Sequence, residues 1–233
     1  MGKSLGFLEV GTSDFNTMLE MYQNIPDATG ISMEPLKFYL DRLPSHPQIK
    51  KLAVALVAEP SPNIDVYYVK PEVIADKKND INDFMKGCNS VGKPHDYHTH
   101  YNEYSTGYID ENTVIRNLIE EGLVEVSKVP CYTYKQLMEI YDIDYFDTIK
   151  LDTEGTDAIL LESILDYHEE TGKLLPKYID YETNLHNKLE DIQKVTKRLL
   201  SLGYSIQIGD AWYNEWREFD GRFENDAKAI RND

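Results

Sequence analysis

Acidic residues stand just past several short apolar runs in this chain. Glu9 and Asp14 bracket the turn Glu9-Val10-Gly11-Thr12-Ser13-Asp14, and Glu34-Pro35 follows Ile31-Ser32-Met33. Asp152-Thr153-Glu154-Gly155 follows Ile149-Lys150-Leu151, and Glu182-Thr183-Asn184 follows Tyr178-Ile179-Asp180-Tyr181. Asp152 and Glu154, two residues apart, can serve one cleft as a general base. With Glu182 as a third acid they can instead offer oxygen ligands to Mg²⁺, with Asp152 and Glu182 as the candidate metal residues. The plain alternative is that Asp152 caps the following helix while Glu154 orients a cofactor or a loop.

An acid at a strand end can accept hydrogen bonds from both hydroxyls of a ribose, each worth roughly 1.5–3 kcal/mol when charge-assisted. Glu34 therefore points to a nucleoside, although a helix-starting acid satisfying the macrodipole would look the same. Gly11 has no second or third glycine at dinucleotide spacing, and its loop carries no basic residue, so a pyrophosphate is not provided for. S-adenosylmethionine meets these conditions: it carries an adenine, a ribose, a cationic sulfonium and an ammonium, and no phosphate.

A second candidate base lies in Cys88-Asn89-Ser90-Val91-Gly92-Lys93-Pro94-His95, because an imidazole has the right intrinsic pKa to take a hydroxyl proton. His95, His98 and His100 lack a further ligand at zinc spacing. Tyr97, Tyr101, Tyr104 and Tyr108 offer flat faces and hydroxyls suited to a carbohydrate, as do Trp212, Tyr213 and Trp216.

The elements that must position these residues alternate. Strands are expected at 5–10, 28–33, 52–57, 64–69, 146–152, 177–182 and 204–208, with helices at 14–24, 35–43, 133–141, 157–167 and 185–202. That order predicts an α/β fold with a doubly wound, mostly parallel sheet. The rhythm breaks over about 71–127, a polar, aromatic-rich stretch with short helices at 81–85 and 111–121, read as an insertion lying over the ligand. The chain is expected to be one domain over 1–233, with a loosely held tail at 219–233.

The 233 residues carry 41 acids against 24 bases, a formal net charge of −17 that argues against nucleic acid and anionic membranes as partners. Two cysteines fit a reducing compartment, and no apolar run reaches the roughly 18 residues of a membrane span. A cytoplasmic protein is expected.

Phe7-Leu8-Glu9-Val10-Gly11-Thr12-Ser13-Asp14 resembles the first motif of class I S-adenosylmethionine-dependent methyltransferases, and Ile31-Ser32-Met33-Glu34-Pro35 is similar to their second, in its FkbM-type form. Lys150-Leu151-Asp152-Thr153-Glu154-Gly155 resembles the lysine-φ-aspartate-x-glutamate-glycine signature of the FkbM-type enzymes, with Val129-Pro130-Cys131-Tyr132-Thr133 before it and the strand ending at Glu182 after it. The resemblance runs from about Phe7 to Ile208; the long insertion and the Trp212/Trp216 end depart from it. It implies a seven-stranded Rossmann-like sheet and O-methylation of a sugar or glycoconjugate hydroxyl, with lipid, polyketide or peptide acceptors and a non-catalytic binding module as alternatives. On that reading Glu9, Gly11, Thr12 and Asp14 hold the methionine end of the cofactor, Glu34 and Pro35 the ribose, and Ala55 flanks the adenine. Asp152, Glu154 or His95 works at the transfer step, and Ser90, Tyr97, Tyr101 and Glu182 meet the acceptor.

Overall fold

The computed structural model describes residues 2–13, 17–101, 115–183, 186–208, 211–213 and 226–232. Two compact units emerge, one formed by Met1–Asn63 with Val129–Asp233 and the other by Ile64–Lys128. In chain order the first elements are β1 (Lys3–Val10), α1 (Met18–Tyr22), β2 (Gly30–Met33), α2 (Lys37–Leu40), β3 (Ile49–Leu52) and β4 (Ala55–Leu56). Next come β5 (Asn63–Val69), α3 (Pro71–Ala75), a 3₁₀ turn at Asp83–Lys86, β6 (Ser90–Val91) and α4 (Asp96–Thr99). After them come β7 (Val124–Tyr132), α5 (Tyr134–Ile140), β8 (Ile143–Leu151), α6 (Asp157–Thr171), β9 (Tyr178–Tyr181) and α7 (Leu189–Ser201). The chain closes with β10 (Tyr204–Ile208), β11 (Ala211–Tyr213) and β12 (Ala227–Arg231).

The fold is mixed α/β. Its larger sheet has eight strands in the order β11-β10-β12-β9-β8-β1-β2-β3. From β3 to β9 every pairing is parallel, whereas β12 runs antiparallel to both β9 and β10. Alternation along the strands puts Leu8, Val10, Ile149, Leu151, Ile179 and Tyr181 on one face, where they join Leu137, Leu161, Ile164, Val195 and Leu199 from α5, α6 and α7 in the main core. On the opposite face of β1, Phe7 packs with Met18, Leu19, Leu40, Leu43 and Ile49. A smaller, four-stranded sheet contains β4, β5, β6 and β7, in which Ala55–Leu56 pair with Cys131–Tyr132 and Val66–Tyr67 with Ser90–Val91.

Several expectations need correction. The tail is not loose where it is described, because Ala227–Arg231 hydrogen-bonds on both sides inside the sheet. The apolar run 52–57 is not one strand: β3 ends at Leu52, and Ala55–Leu56 turn to a different partner. The expected helix at 111–121 shows only turns over 115–121, where Arg116 bridges to Tyr101. The stretch expected as an insertion has a hydrophobic cluster of its own, built from Val69, Ile74, Ile81, Met85, Cys88, Tyr101 and Leu118. Both cysteines are free and buried, and among the described residues no helix is long and apolar enough to cross a membrane.

Candidate functional site

The five parallel strands end in step. Leu52, Met33, Val10, Leu151 and Tyr181 are register partners across the sheet, so Ala53, Glu34, Gly11, Asp152 and Glu182 leave their strands at one level. Ligands in open α/β sheets bind at this carboxyl edge, beside the point where strand order reverses. Here the reversal lies between β1 and β8, at Gly11 and Asp152.

Gly11 has φ of +80°, and a Cβ there would meet the Asp152 carbonyl oxygen at 1.8 Å. Its need for glycine is thus already met by a neighbouring strand, without any ligand. Thr12 is buried and donates its N–H to the Met33 carbonyl, as Gly11 does. Ser13 donates its N–H to Glu34 Oε2 at 2.9 Å, and Leu36 donates to Oε1 at 2.8 Å. These two bonds fix the orientation of the buried Glu34 carboxylate, with the half-buried Pro35 beside it.

Glu9 faces inward rather than toward a ligand. Its Oε1 accepts the Met18 N–H at 2.7 Å at the start of α1, and its Oε2 accepts the Ser32 hydroxyl at 3.2 Å. Burial raises its pKa, opposed by the Met18 bond and the Lys150 charge. It holds a helix in place behind the site. Asp14, expected beside it, lies outside the described residues.

Three carboxylates converge next to Gly11: Asp152, Glu154 and Glu182 bring oxygens within 4.8 Å of one another. Glu154 adopts φ of +53°, and its N–H donates to Glu182 Oε2 at 3.1 Å. Gly155, at φ +108°, passes close to the chain at His186, where a Cβ would lie 2.7 Å from the carbonyl oxygen. Burial, then the Asp152 charge, pushes the Glu154 carboxyl up to about 7; burial, then Glu154, pushes Glu182 up to about 10. Asp152 is more open, at 38% side-chain exposure, and Lys150 Nζ lies 3.2 Å from its Oδ2. It does not cap α6. Asp157 instead ties down the loop, accepting from the Thr153 N–H and hydroxyl, and burial raises its pKa to about 7. Three hard oxygen donors of this kind suit Mg²⁺, whose charge would keep them ionised.

Asp226, missed by the sequence reading, belongs to this group. It precedes Ala227, the register partner of Tyr181, and its charge bears on Glu154, Glu182 and Lys150. The strand it introduces is a short alternating pattern beyond a polar stretch, which carries little local signal.

Ala55 is buried in β4 opposite Cys131. His95, Ser90, Tyr97 and Tyr101 belong to the second unit. His95 caps α4, its Nδ1 accepting the Tyr97 N–H at 3.0 Å, and burial lowers its pKa to about 4. Such an imidazole is too weak a base to take a hydroxyl proton efficiently at neutral pH. Ser90 is buried and donates to the Lys93 carbonyl at 2.7 Å. Tyr101 is a core residue whose hydroxyl accepts the Asn82 N–H, whereas Tyr97 is half-buried and stacks on His95. Trp212 is 51% exposed on β11; Tyr104, Tyr108 and Trp216 lie outside the described residues.

No protein-family model, curated protein or solved structure matches the chain.

Proposed function

We propose that this chain is a cytoplasmic class I S-adenosylmethionine-dependent O-methyltransferase, with a sugar or glycoconjugate hydroxyl as acceptor. The observation that carries the reading is the shared level of Glu34, Gly11 and Asp152 on three adjacent strands at the order reversal. Strand order supports it: β3-β2-β1-β8-β9 follows the doubly wound sequence, and β10 and β12 bring the sheet to seven strands, with β11 a short eighth. The sulfonium is compatible with an edge rich in carboxylates, where an anionic cofactor would be repelled.

Transfer requires in-line attack by the acceptor oxygen on the methyl carbon while the carbon–sulfur bond breaks, so positioning supplies much of the rate. Asp152, with 38% of its side chain exposed, accepts the hydroxyl proton. When bound, Mg²⁺ would be held by Asp152, Glu154 and Glu182 and would lower the pKa of the acceptor hydroxyl.

Calorimetric titration with S-adenosylhomocysteine tests the reading. Micromolar binding is expected, weakened about tenfold or more in Glu34→Gln, the loss appropriate to one charge-assisted hydrogen bond. Absence of binding by folded wild-type protein overturns it.

A further inference from the structure

Lys150 is the basic residue of the Lys150-Leu151-Asp152-Thr153-Glu154-Gly155 segment, and the structure gives it an unusual setting. In the sheet it stands between Glu9 of β1 and Asp180 of β9, one row inside the carboxyl edge. Its Nζ lies 3.2 Å from Asp152 Oδ2 and 3.7 Å from Glu9 Oε1, with only 21% of the side chain exposed. Asp226 and Asp180 also feel its charge. Burial works against this ammonium, yet Asp152 and Glu9 more than offset that cost and hold it charged. Lys228, the register partner of Asp180, is exposed, whereas Lys150 is set into the base of the carboxylate row.

The consequence rests on the methyltransferase reading. As the methyl group leaves, the carbon–sulfur electron pair returns to sulfur, the acceptor oxygen forms the new bond, and its proton passes to Asp152. Sulfur goes from cationic to neutral. A strongly negative site would therefore stabilise the cofactor more than the transition state, which raises the barrier instead of lowering it. A fixed cation beneath the carboxylates limits that ground-state stabilisation. We propose that Lys150 is a specificity-determining residue, whose ammonium sets how much more tightly the site holds the sulfonium cofactor than its neutral thioether product. The direction needs no knowledge of where the sulfur sits: both ligands occupy one place and differ by one charge. Removing a positive charge makes the potential there more negative and favours the sulfonium.

The test is calorimetry on the full chain with S-adenosylmethionine and S-adenosylhomocysteine, comparing wild type with Lys150→Met, Lys150→Arg and Lys194→Met. Lys194 is an exposed lysine on α7 and serves as the remote-charge control. The ratio of the homocysteine Kd to the methionine Kd should rise about fivefold in Lys150→Met, the order expected of a unit charge under partial solvent screening. It should stay within twofold of wild type in Lys150→Arg and Lys194→Met. A Lys150→Met protein that weakens both ligands equally, or neither, leaves the ratio unchanged and overturns the proposal. Should that variant fail to fold, Asp152→Asn removes the opposite charge from the same ion pair and must lower the ratio; an unchanged ratio is again fatal. Failure of wild type to bind either ligand instead defeats the methyltransferase reading itself, so the two failures are distinguishable.

Discussion

Gly11 and Asp152 lie so close that their strands could not pair as they do with any other residue at position 11. A Cβ on Gly11 would sit 1.8 Å from the Asp152 carbonyl oxygen, while Asp152 donates its own N–H to the Val10 carbonyl at 3.0 Å. The loop after β1 and the acidic segment after β8 are therefore held as one piece.

Gly11→Ala should accordingly be costly. The left-handed φ of +80° costs an alanine roughly 1–2 kcal/mol, and the clash meets backbone that cannot rotate away, adding about 1–3 kcal/mol. Urea unfolding should show a loss of about 3 kcal/mol. A loss under about 1 kcal/mol would mean that the two strand ends separate easily and do not form a rigid edge.

Stability should fall as pH rises above neutrality, and Glu182 should be responsible. Glu154, Asp157 and Glu182 are raised from ordinary carboxylate values to about 7, 7 and 10, so the stability linked to them is complete below about pH 4 and disappears as pH climbs through those values. His95, His98 and His168 are lowered from 6.5 to about 4, so their contribution is present above 6.5 and lost as pH falls toward 4. The two sets oppose each other between about pH 4 and 6.5, and above that only the acids act. Unfolding midpoints should thus decline between pH 7 and 9, at up to about 1.4 kcal/mol per pH unit for one titrating group. Glu182→Gln should flatten the decline; parallel slopes in the two proteins would exclude Glu182 as its source.

Much of this frame could be read from local pattern. Tyr204–Ile208 is predicted to the residue and β9 to within one residue at each end, because buried strands are short apolar runs bounded by charge or glycine, whereas β8 starts at Ile143, ahead of the expected 146. Acids directly after such runs were visible for the same reason. The third strand was misplaced because Lys50 and Lys51 resemble a solvated turn, yet an edge strand tolerates lysines and β3 is an edge. Ala227–Arg231 carries little local signal, because the partners that make a strand of it, Tyr178–Tyr181 and Tyr204–Ile208, lie about 50 and about 20 residues earlier. Asp226 was lost with it. Burial of His95, Ser90 and Tyr101 depends on packing within Ile64–Lys128, which no local spacing reports.

His95 should remain neutral across the range in which a general base would titrate. Its Nδ1 accepts the Tyr97 N–H, and burial holds its pKa at about 4. Proton–carbon correlation spectra of the six histidines should show no transition for His95 between pH 5.5 and 8. A midpoint near 7 would restore it as the proton acceptor and displace Asp152 from that role.

Glu9 separates a scaffold from a ligand contact most cleanly. Its two oxygens serve the Met18 N–H and the Ser32 hydroxyl, both buried. Glu9→Ala would leave the first N–H of α1 unpaired and open a hole beside Lys150, costing about 2–4 kcal/mol by the usual penalties for a stranded donor and a cavity. Glu9→Gln should cost about 1 kcal/mol, because the amide oxygen can take the Met18 N–H while the amide nitrogen donates to Ser32, whose hydroxyl can turn to accept. Binding of S-adenosylhomocysteine should persist in Glu9→Gln within about threefold of wild type. If Glu9 instead grips the cofactor, the pattern inverts: Glu9→Ala would unfold close to the wild-type midpoint while its affinity collapsed. Chemical denaturation and titration on the same two variants decide between these outcomes.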